Sequence, residues 1–351
     1  MPTEQTLDNQ IKDRNMIFIV GNSRSGTHLM SRILGNHPDI YNFPHELHFF
    51  EEMWSTSDKN RLKAKDEGIL LVAHLLCICR EGYLTKRESR QYIEEAKGIF
   101  SGLERDEVTS AELFRKFLYY EATRNGCFIP CEHTPRNLFY VGDLLNLYHD
   151  VRVIITVRDP RDILLSQKKK WKRRYLGSKD NIPFLECLRS MINYHPLTIS
   201  KLWNSSIKVA EKFASDSRVH TQCFESLLAD PRESVTKICN FLNISFYEQM
   251  LEVPQMSSST EPDRQDKKGI NSKRIGSWQR GGLSSTEVYL CQKITFDSMK
   301  NHGYTQDRVC PNPFSLIYYM VTFPVKLTAA FLVNLGRVKN VHEAIKRRLL
   351  K

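Results

Sequence analysis

No apolar run occupies the first fifteen residues, Met1 to Asn15. That polar arm is not expected to serve as a secretory signal or an N-terminal membrane anchor. Paired cysteine spacing is also missing: nine cysteines, an odd number, are scattered at 77, 79, 127, 131, 187, 223, 239, 291 and 310. Cys127-x3-Cys131 comes nearest to a metal clip, but no second pair follows at a useful distance, and reduced thiols in a cytosol fit this usage. Acidic residues are in deficit, with 40 Asp and Glu against 51 Lys and Arg, a formal charge of +11. Such a balance favours anionic partners, whether nucleotides, sulfated or phosphorylated acceptors, or an acidic membrane surface, and says nothing about fold. No glycine-rich or proline-rich linker interrupts residues 59–124. A chain of 351 residues, 41% hydrophobic, suits one large α/β domain with an appendage. The expected organisation is a polar arm over 1–15, a domain over 16–310 with a helical insertion at 59–124, and an apolar, basic tail over 311–351.

The stretch that organises the rest is Gly21-Asn-Ser-Arg-Ser-Gly-Thr27. It follows Met16-Ile-Phe-Ile-Val20, short and β-branched enough to be a buried strand. After it, apolar residues at 29, 30, 33 and 34 have helical spacing. Strand, glycine-bounded turn and helix make a phosphate cradle, because backbone N–H groups of the turn and the positive helix end converge on one point. A Walker loop would need Lys and then Ser or Thr after its second glycine, with magnesium on the hydroxyl. Here Thr27 and His28 follow Gly26 and the lysine is missing. Arg24 inside the loop brings a permanently charged fork that can reach an anionic oxygen without a metal.

This Arg-Ser-Gly-Thr loop resembles the 5′-phosphosulfate loop of sulfotransferases that use 3′-phosphoadenosine 5′-phosphosulfate (PAPS). The resemblance implies that Ser23, Arg24, Ser25, Gly26, Thr27 and His28 hold the 5′-phosphate, with Arg24 also stabilising charge that develops there. It further implies a P-loop-like α/β fold, a three-layer sandwich with a central parallel sheet.

Val151-Arg-Val-Ile-Ile-Thr-Val157 is nearly continuous in β-branched residues, which predicts a central parallel strand. Arg158-Asp-Pro-Arg161 turns the chain into a helix expected over Asp162–Arg174, and Arg158 with Ser166 can converge on one small anion at the carboxyl edge of the sheet. This arrangement resembles the 3′-phosphate motif of the same family at matching spacing. The basic run Lys168-Lys-Lys-Trp-Lys-Arg-Arg174 has the charge and aromatic of a nucleic-acid site, but fits better as a solvated helix face at the mouth of an anion site.

His45-Glu-Leu-His-Phe-Phe50 resembles the Lys-Glu-x-His-Phe-Phe segment of carbohydrate sulfotransferases, whose glutamate takes the acceptor's proton. Glu46 is thereby the expected general base, on a helix expected to begin near Pro44. Its residue type alone also allows a plain helix-dipole partner. Cys131-Glu-His-Thr-Pro135 resembles the family's Glu-Lys-Thr-Pro turn, with His133 where a lysine lies near the transferring group. A histidine there helps the leaving phosphate only when protonated or donating its N–H, and otherwise it caps or packs the turn. Asn271–Arg280 resembles the C-terminal nucleotide loop, which offers Lys273, Arg274 and Arg280 as phosphate contacts and Trp278 as a border for the adenine.

Elsewhere, 181–216 is expected to form one long helix, Val219–Cys223 a strand, and Ser257–Lys268 a polar loop. Phe314–Leu335 is long enough to cross a bilayer, but Lys326 and Pro324 argue against one continuous span. Followed by Arg337, Lys339 and Lys346–Arg348, it can pack on the domain or lie on an acidic membrane surface. The expected activity is sulfuryl transfer from PAPS, without a metal, to a hydroxyl or less often an amine of a glycan, glycolipid or small molecule. Set against it are a P-loop small-molecule kinase and a membrane-associated anion-binding protein with a degenerate site. The missing N-terminal apolar segment separates the chain from Golgi-type sulfotransferases, which usually carry one.

Overall fold

Five short strands lie parallel in one sheet: β1 (Met16–Gly21), β2 (Ile40–Asn42), β3 (Ile129–Glu132), β4 (Val151–Val157) and β5 (Val219–Cys223). Their order across the sheet is β2-β3-β1-β4-β5. The computed structural model describes residues 15–55, 59–83, 85, 89–101, 108–176, 182–256, 258–259 and 261–334. The polar arm before residue 15 and the basic end after 334 lie outside them.

β1 sits at the centre and pairs along its whole length with β4, from Met16 opposite Val151 to Gly21 opposite Thr156. Every residue of β1 is buried, as a strand covered on both faces requires. Because alternate side chains point to opposite faces, Phe18 and Val20 enter one core with Phe114, Val153 and Trp203. Ile17 and Ile19 enter the other with Leu29, Met30, Ile33 and Phe224. From β1 the chain turns toward β2, whereas from β4 it turns toward β5. The carboxyl ends of β1 and β4 therefore flank the point where the winding reverses, the place where open α/β sheets bind ligands.

Six helices matter for the site and its surroundings: α1 (Thr27–Gly35), α2 (Pro160–Lys168), α3 (Phe184–Asn193), α4 (Pro196–Lys212), α5 (Phe224–Ala229) and α6 (Pro313–Leu332). Between β2 and β3, helices Lys65–Glu81, Arg90–Ser101 and Ser110–Arg124 pack beside the sheet, tied by a small antiparallel ladder of Leu62–Lys63 with Val108–Thr109. Thr109 closes the last of these helices with a capping box to Glu112. Its apolar face is core, as its pattern suggests, with Phe114 6.3 Å from Phe18 and Phe117 5.9 Å from Phe43 between ring centres.

Four local expectations are corrected. The long helix over 181–216 is two, α3 and α4, because Pro196 takes the first turn of α4 and His195 ahead of it stays extended, its ring accepting the Leu197 N–H at 3.3 Å. The helix expected through Arg174 ends at Lys168 and tightens into a 3₁₀ turn over Lys170–Tyr175. Residues 44–48 are not helical, so Glu46 stands on an irregular segment before the short helix Phe49–Glu52. In the polar stretch after Pro254, Arg264–Lys268 forms a strand paired with Pro254–Gln255. The tail helix α6 runs unbroken through Pro324. All nine cysteines are free thiols.

Candidate active site

The loop between β1 and α1 is built to bring backbone close to a ligand. Gly26 has φ 108°, and a Cβ there would meet the Phe224 ring at 2.4 Å, so only glycine fits. Arg24 also takes a positive φ, 79°, a strained position for a side chain that a functional loop can hold. Ser25 closes the turn beneath: its N–H donates to Asn22 O at 2.9 Å, and its buried hydroxyl lies 2.7 Å from Thr156 Oγ1 on β4. No side chain caps α1, and the N–H groups of Thr27 and His28 come before its first backbone bonds, which Leu29 and Met30 make to Gly26 O at 3.0 Å.

The exit from β4 supplies the facing wall. Asp159 caps α2 by accepting the Arg161 N–H at 2.8 Å, and Pro160 occupies the first turn, so α2 starts with its positive end at the sheet edge. Arg158 lies over the Phe224 ring at 4.3 Å and donates to Arg24 O at 3.3 Å and to Arg274 O at 3.1 Å. Asp162 Oδ2 is 3.4 Å from its guanidinium. Two turns into α2, Ser166 accepts from Arg24 Nε at 2.9 Å.

Arg24, Arg158, Asp162, Ser166 and Arg274 line one open cleft, together with Arg32, Lys170, Arg173, Ser258 and Ser259. Its electrostatics are one-sided. Burial, and then the neighbouring charges of Arg173, Arg158 and Arg274, pull Arg24 down to about 9. Burial and Arg274 bring Arg32 to about 10. Both remain cations near neutral pH, held in a field that an anion of several charges would relieve.

Glu46 lines the same cleft, as does Pro135. It stands between two imidazoles, with Oε1 2.9 Å from His28 Nε2 and Oε2 3.3 Å from His48 Nε2. Burial pushes its carboxyl up, but the two histidines outweigh burial and hold it well below the usual carboxylate range. His48 bridges on to Glu51 at 3.0 Å, and Glu51 meets Arg136 at 2.9 Å. Burial would lower His48, yet Glu46 and Glu51 together raise it to about 10, so it is an imidazolium at neutral pH. The segment is held from behind by the turn after β3. Thr134 Oγ1 accepts the N–H groups of Leu47 at 3.0 Å and His48 at 3.3 Å. Buried Glu132 in turn accepts from the Thr134 N–H at 2.9 Å and from Asn137 at 2.7 Å.

Residues 16–248, well over half of the chain, match the family model described as "Sulfotransferase family". The chain belongs to the sulfotransferase family. A curated relative from Caenorhabditis briggsae, a putative protein-tyrosine sulfotransferase, is 24% identical over 279 residues, covering 75% of this chain and 80% of that protein. Among solved structures, the sulfotransferase domain from the curacin biosynthetic pathway superposes with a TM-score of 0.51 at 17% identity. It covers 84% of this chain and 99% of that domain, a likeness of fold. The kinase alternative, already lacking its lysine, falls with the family match.

Within this sulfotransferase the expected site residues divide into two groups. Ser23, Arg24, Gly26, Thr27, His28, Glu46, Arg158, Ser166 and Arg274 line the cleft. The others stand apart from it. Ser25 is turned into the sheet by its bond to Thr156. Trp278 is buried under the Arg161 guanidinium at 4.1 Å, and its N–H is taken by Asp162 at 2.8 Å, so it anchors the C-terminal loop to α2 rather than bordering the cleft. Lys273 is exposed, and Arg280 bends back onto Ile275 O at 3.3 Å and Ser277 Oγ at 2.8 Å. His133 is buried behind His28, with ring centres 4.9 Å apart, and burial followed by the His28 charge brings it down to about 3. It is therefore neutral and cannot serve as the cation that the family's lysine would be.

Arg32 and Phe224, which the motifs did not mark as site residues, complete the cleft, and Lys170 and Arg173 bring the basic run 168–174 to it. Arg32 lies four residues beyond His28 on α1, a spacing that puts both on one helical face, and this was the available signal. Among the described residues no group of three or more His, Cys, Asp or Glu is placed to hold a metal ion.

Proposed function

We propose that this sulfotransferase uses PAPS as donor and transfers the sulfuryl group to a hydroxyl, with Glu46 as general base. The observation that carries the reading is the meeting of Arg24, Arg158 and Ser166 from two strand-to-helix turns, opposite a carboxylate on the same cleft. The donor set suits a nucleotide with separate 3′ and 5′ anionic groups. Arg158 Nε is buried with no hydrogen-bond partner among the described residues, and the Gly26 backbone is packed against a ring where any Cβ would collide. Bound PAPS supplies a sulfuryl group on a phosphate leaving group.

The chain's own residues do the rest. Arg158 and Ser166 hold the 3′ side, while the first-turn amides of α1 and the Arg24 guanidinium face the 5′ side. The acceptor oxygen forms its bond to sulfur as the sulfur–oxygen bond to the 5′-phosphate breaks. The acceptor's proton passes to Glu46, and the bonding pair stays on the departing phosphate beside Arg24. Preorganised charge of this kind acts where charge develops. His28 and His48 fix the carboxylate's direction. Because they also depress its basicity, Glu46 suits a proton transfer that completes late in the displacement. The C. briggsae relative is named for a tyrosyl acceptor, which also is a hydroxyl.

Calorimetry tests the donor. Adenosine 3′,5′-bisphosphate should bind tightly in the presence of EDTA, and ATP with magnesium weakly. If adenosine 5′-phosphate bound as well as the bisphosphate, the 3′ assignment would fail; magnesium-dependent binding would defeat the metal-free scheme. Fractionated host extract with labelled PAPS would then identify the acceptor.

A further inference from the structure

The cleft's basic wall continues outward into an uncovered apolar face. The 3₁₀ turn Lys170–Tyr175 contributes Lys170 and Arg173 to the cleft. The same turn points the exposed Lys172, Arg174 and Tyr175 away from it, with Trp171 beside Tyr175 at 6.3 Å and Lys172 over the Trp171 ring at 5.5 Å. This turn packs against α3, and α3 packs against α6.

Both helices turn hydrophobic side chains to solvent. On α3, Phe184, Leu185, Leu188 and Met191 are 64%, 70%, 44% and 47% exposed. On α6 the exposed set is Phe314, Ile317, Tyr318, Met320, Val321, Val325 and Leu332. All but Met320 lie at offsets of 3, 4, 7, 11 and 18 residues from Phe314, on one side of the helix. The opposite side of α6 is committed to the domain: Tyr319 and Phe323 lie 5.6 and 5.3 Å from the His195 ring, and Ala330 is buried. The helix end is fixed as well, since Arg189 Nε donates to Val333 O at 3.1 Å and Asn334 to Asn193 at 2.8 Å. Alpha6 is thus docked along one side and bare along the other. It is long and apolar enough to cross a membrane by length and composition, yet its contacts with α3 and α4 hold it against the domain.

We infer that α3 and α6, with the turn Lys170–Tyr175 as a collar, form a docking surface for an anionic lipid bilayer, which holds the mouth of the cleft beside the membrane. Three features select a bilayer over a protein partner. Aromatic and cationic side chains sit together at the rim of the apolar patch, as they do where proteins meet the headgroup layer. The chain carries +11 overall, and the residues that follow α6 in sequence include Arg337, Lys339, Lys346, Arg347 and Arg348. Acidic lipid attracts such segments electrostatically within a short distance of the surface. The two helices that carry the exposed apolar residues also pack on each other, so these residues are grouped on neighbouring elements rather than scattered over the surface.

Sedimentation with sucrose-loaded vesicles tests this on the full chain. Vesicles of phosphatidylcholine with 30% phosphatidylserine should carry down most of the protein, and pure phosphatidylcholine several-fold less. Leu185→Glu with Val321→Glu should reduce the bound fraction at least tenfold, and Lys172→Glu with Arg174→Glu should reduce the preference for phosphatidylserine severalfold, the basic residues after α6 keeping the remainder. Circular dichroism and calorimetry with adenosine 3′,5′-bisphosphate, run on the same variants, separate loss of docking from loss of fold or of donor binding. No partition onto the acidic vesicles would overturn the inference. So would self-association in sedimentation velocity that Leu185→Glu with Val321→Glu abolishes, since a second copy would then cover the face. Membranes that retain the protein through alkaline carbonate would overturn it in favour of a span.

Discussion

Arg24 Nε donates to Ser166 Oγ at 2.9 Å although 142 residues separate them in the chain. The two strand-to-helix turns are therefore one unit: the residue proposed for the 5′ side is oriented by a residue proposed for the 3′ side. The bond from Arg24 uses one of the Ser166 hydroxyl's two acceptor lone pairs, and its O–H remains to donate to an anion or to Ser259 Oγ, 3.4 Å away.

Arg158→Ala and Ser166→Ala should weaken adenosine 3′,5′-bisphosphate far more than adenosine 5′-phosphate. Losing a hydrogen bond to a charged group costs roughly 1.5–3 kcal/mol, about ten- to a hundredfold in Kd. Ser166→Ala carries a second effect, since it also frees Arg24. Calorimetry with both nucleotides decides the matter, and equal losses would show that the 3′ group binds elsewhere.

Arg24→Lys should lower kcat more than it raises the donor's KM. A guanidinium aimed at the departing oxygen gains most as charge builds there, and lysine keeps the charge without the fork that ties Arg24 to Ser166. A change confined to KM would make Arg24 a ground-state contact.

Gly26→Ala should abolish donor binding. Its Cβ would enter the Phe224 ring at 2.4 Å with φ at +108°, so the loop or Phe224 has to move. Strain at such a position costs of the order of 1–3 kcal/mol before any clash is added. Displacement of Phe224 would also disturb Arg158, which lies over the ring. Near-normal binding of adenosine 3′,5′-bisphosphate by the variant would show that the turn is looser than its geometry indicates.

Most of this was readable in the chain because the motifs sit where two periodicities meet. Met16–Val20 and Val151–Val157 announce buried strands, and the turns after them carry glycine, proline and arginine at offsets that the fold brings to one edge. Other features depend on distant partners and left no local trace. Glu46 lies on an irregular segment because Thr134 Oγ1 captures the N–H groups of Leu47 and His48, a contact made across 87 and 86 residues. Trp278 resembles an adenine border in sequence, but Asp162 and Arg161 claim it from both sides. His133 occupies the position of a family cation, and only its burial behind His28 reveals it as neutral. The break at Tyr194-His195-Pro196 is legible from proline chemistry alone, against the helical pattern on either side of it.

The network around His48 makes a statement about stability against pH. Its folded value, about 10, exceeds the ordinary 6.5, so the imidazolium's contribution is fully present below pH 6.5 and is lost as pH rises through about 10. The melting temperature should fall across that window, and His48→Gln should flatten the fall while lowering Tm at pH 6. Thermal melts at pH 6, 8 and 10 compare the two proteins. An identical slope in the variant would mean that Glu46 and Glu51 do not hold the charge on His48.

The base itself is the most exposed claim. A hydroxyl is a poor nucleophile near neutral pH, so its proton has to be taken as the oxygen attacks, a contribution of typically 10²–10⁴-fold. Glu46→Gln keeps the shape and removes the basicity. Turnover should collapse by that factor while adenosine 3′,5′-bisphosphate binds within a few-fold of normal. Among the histidines, His48 is excluded by its proton and His133 by its burial. His28 is the serious rival, because it lines the cleft and its Nε2 lies 2.9 Å from Glu46. If His28 were the base and Glu46 only oriented it, His28→Gln would match Glu46→Gln in loss. With Glu46 as base, His28→Gln should cost less, and by removing one of the two groups that depress the carboxyl it should move the acid limb of the kcat/KM profile to higher pH. An acid limb that stays in place, together with a loss as deep as that of Glu46→Gln, would transfer the role to His28.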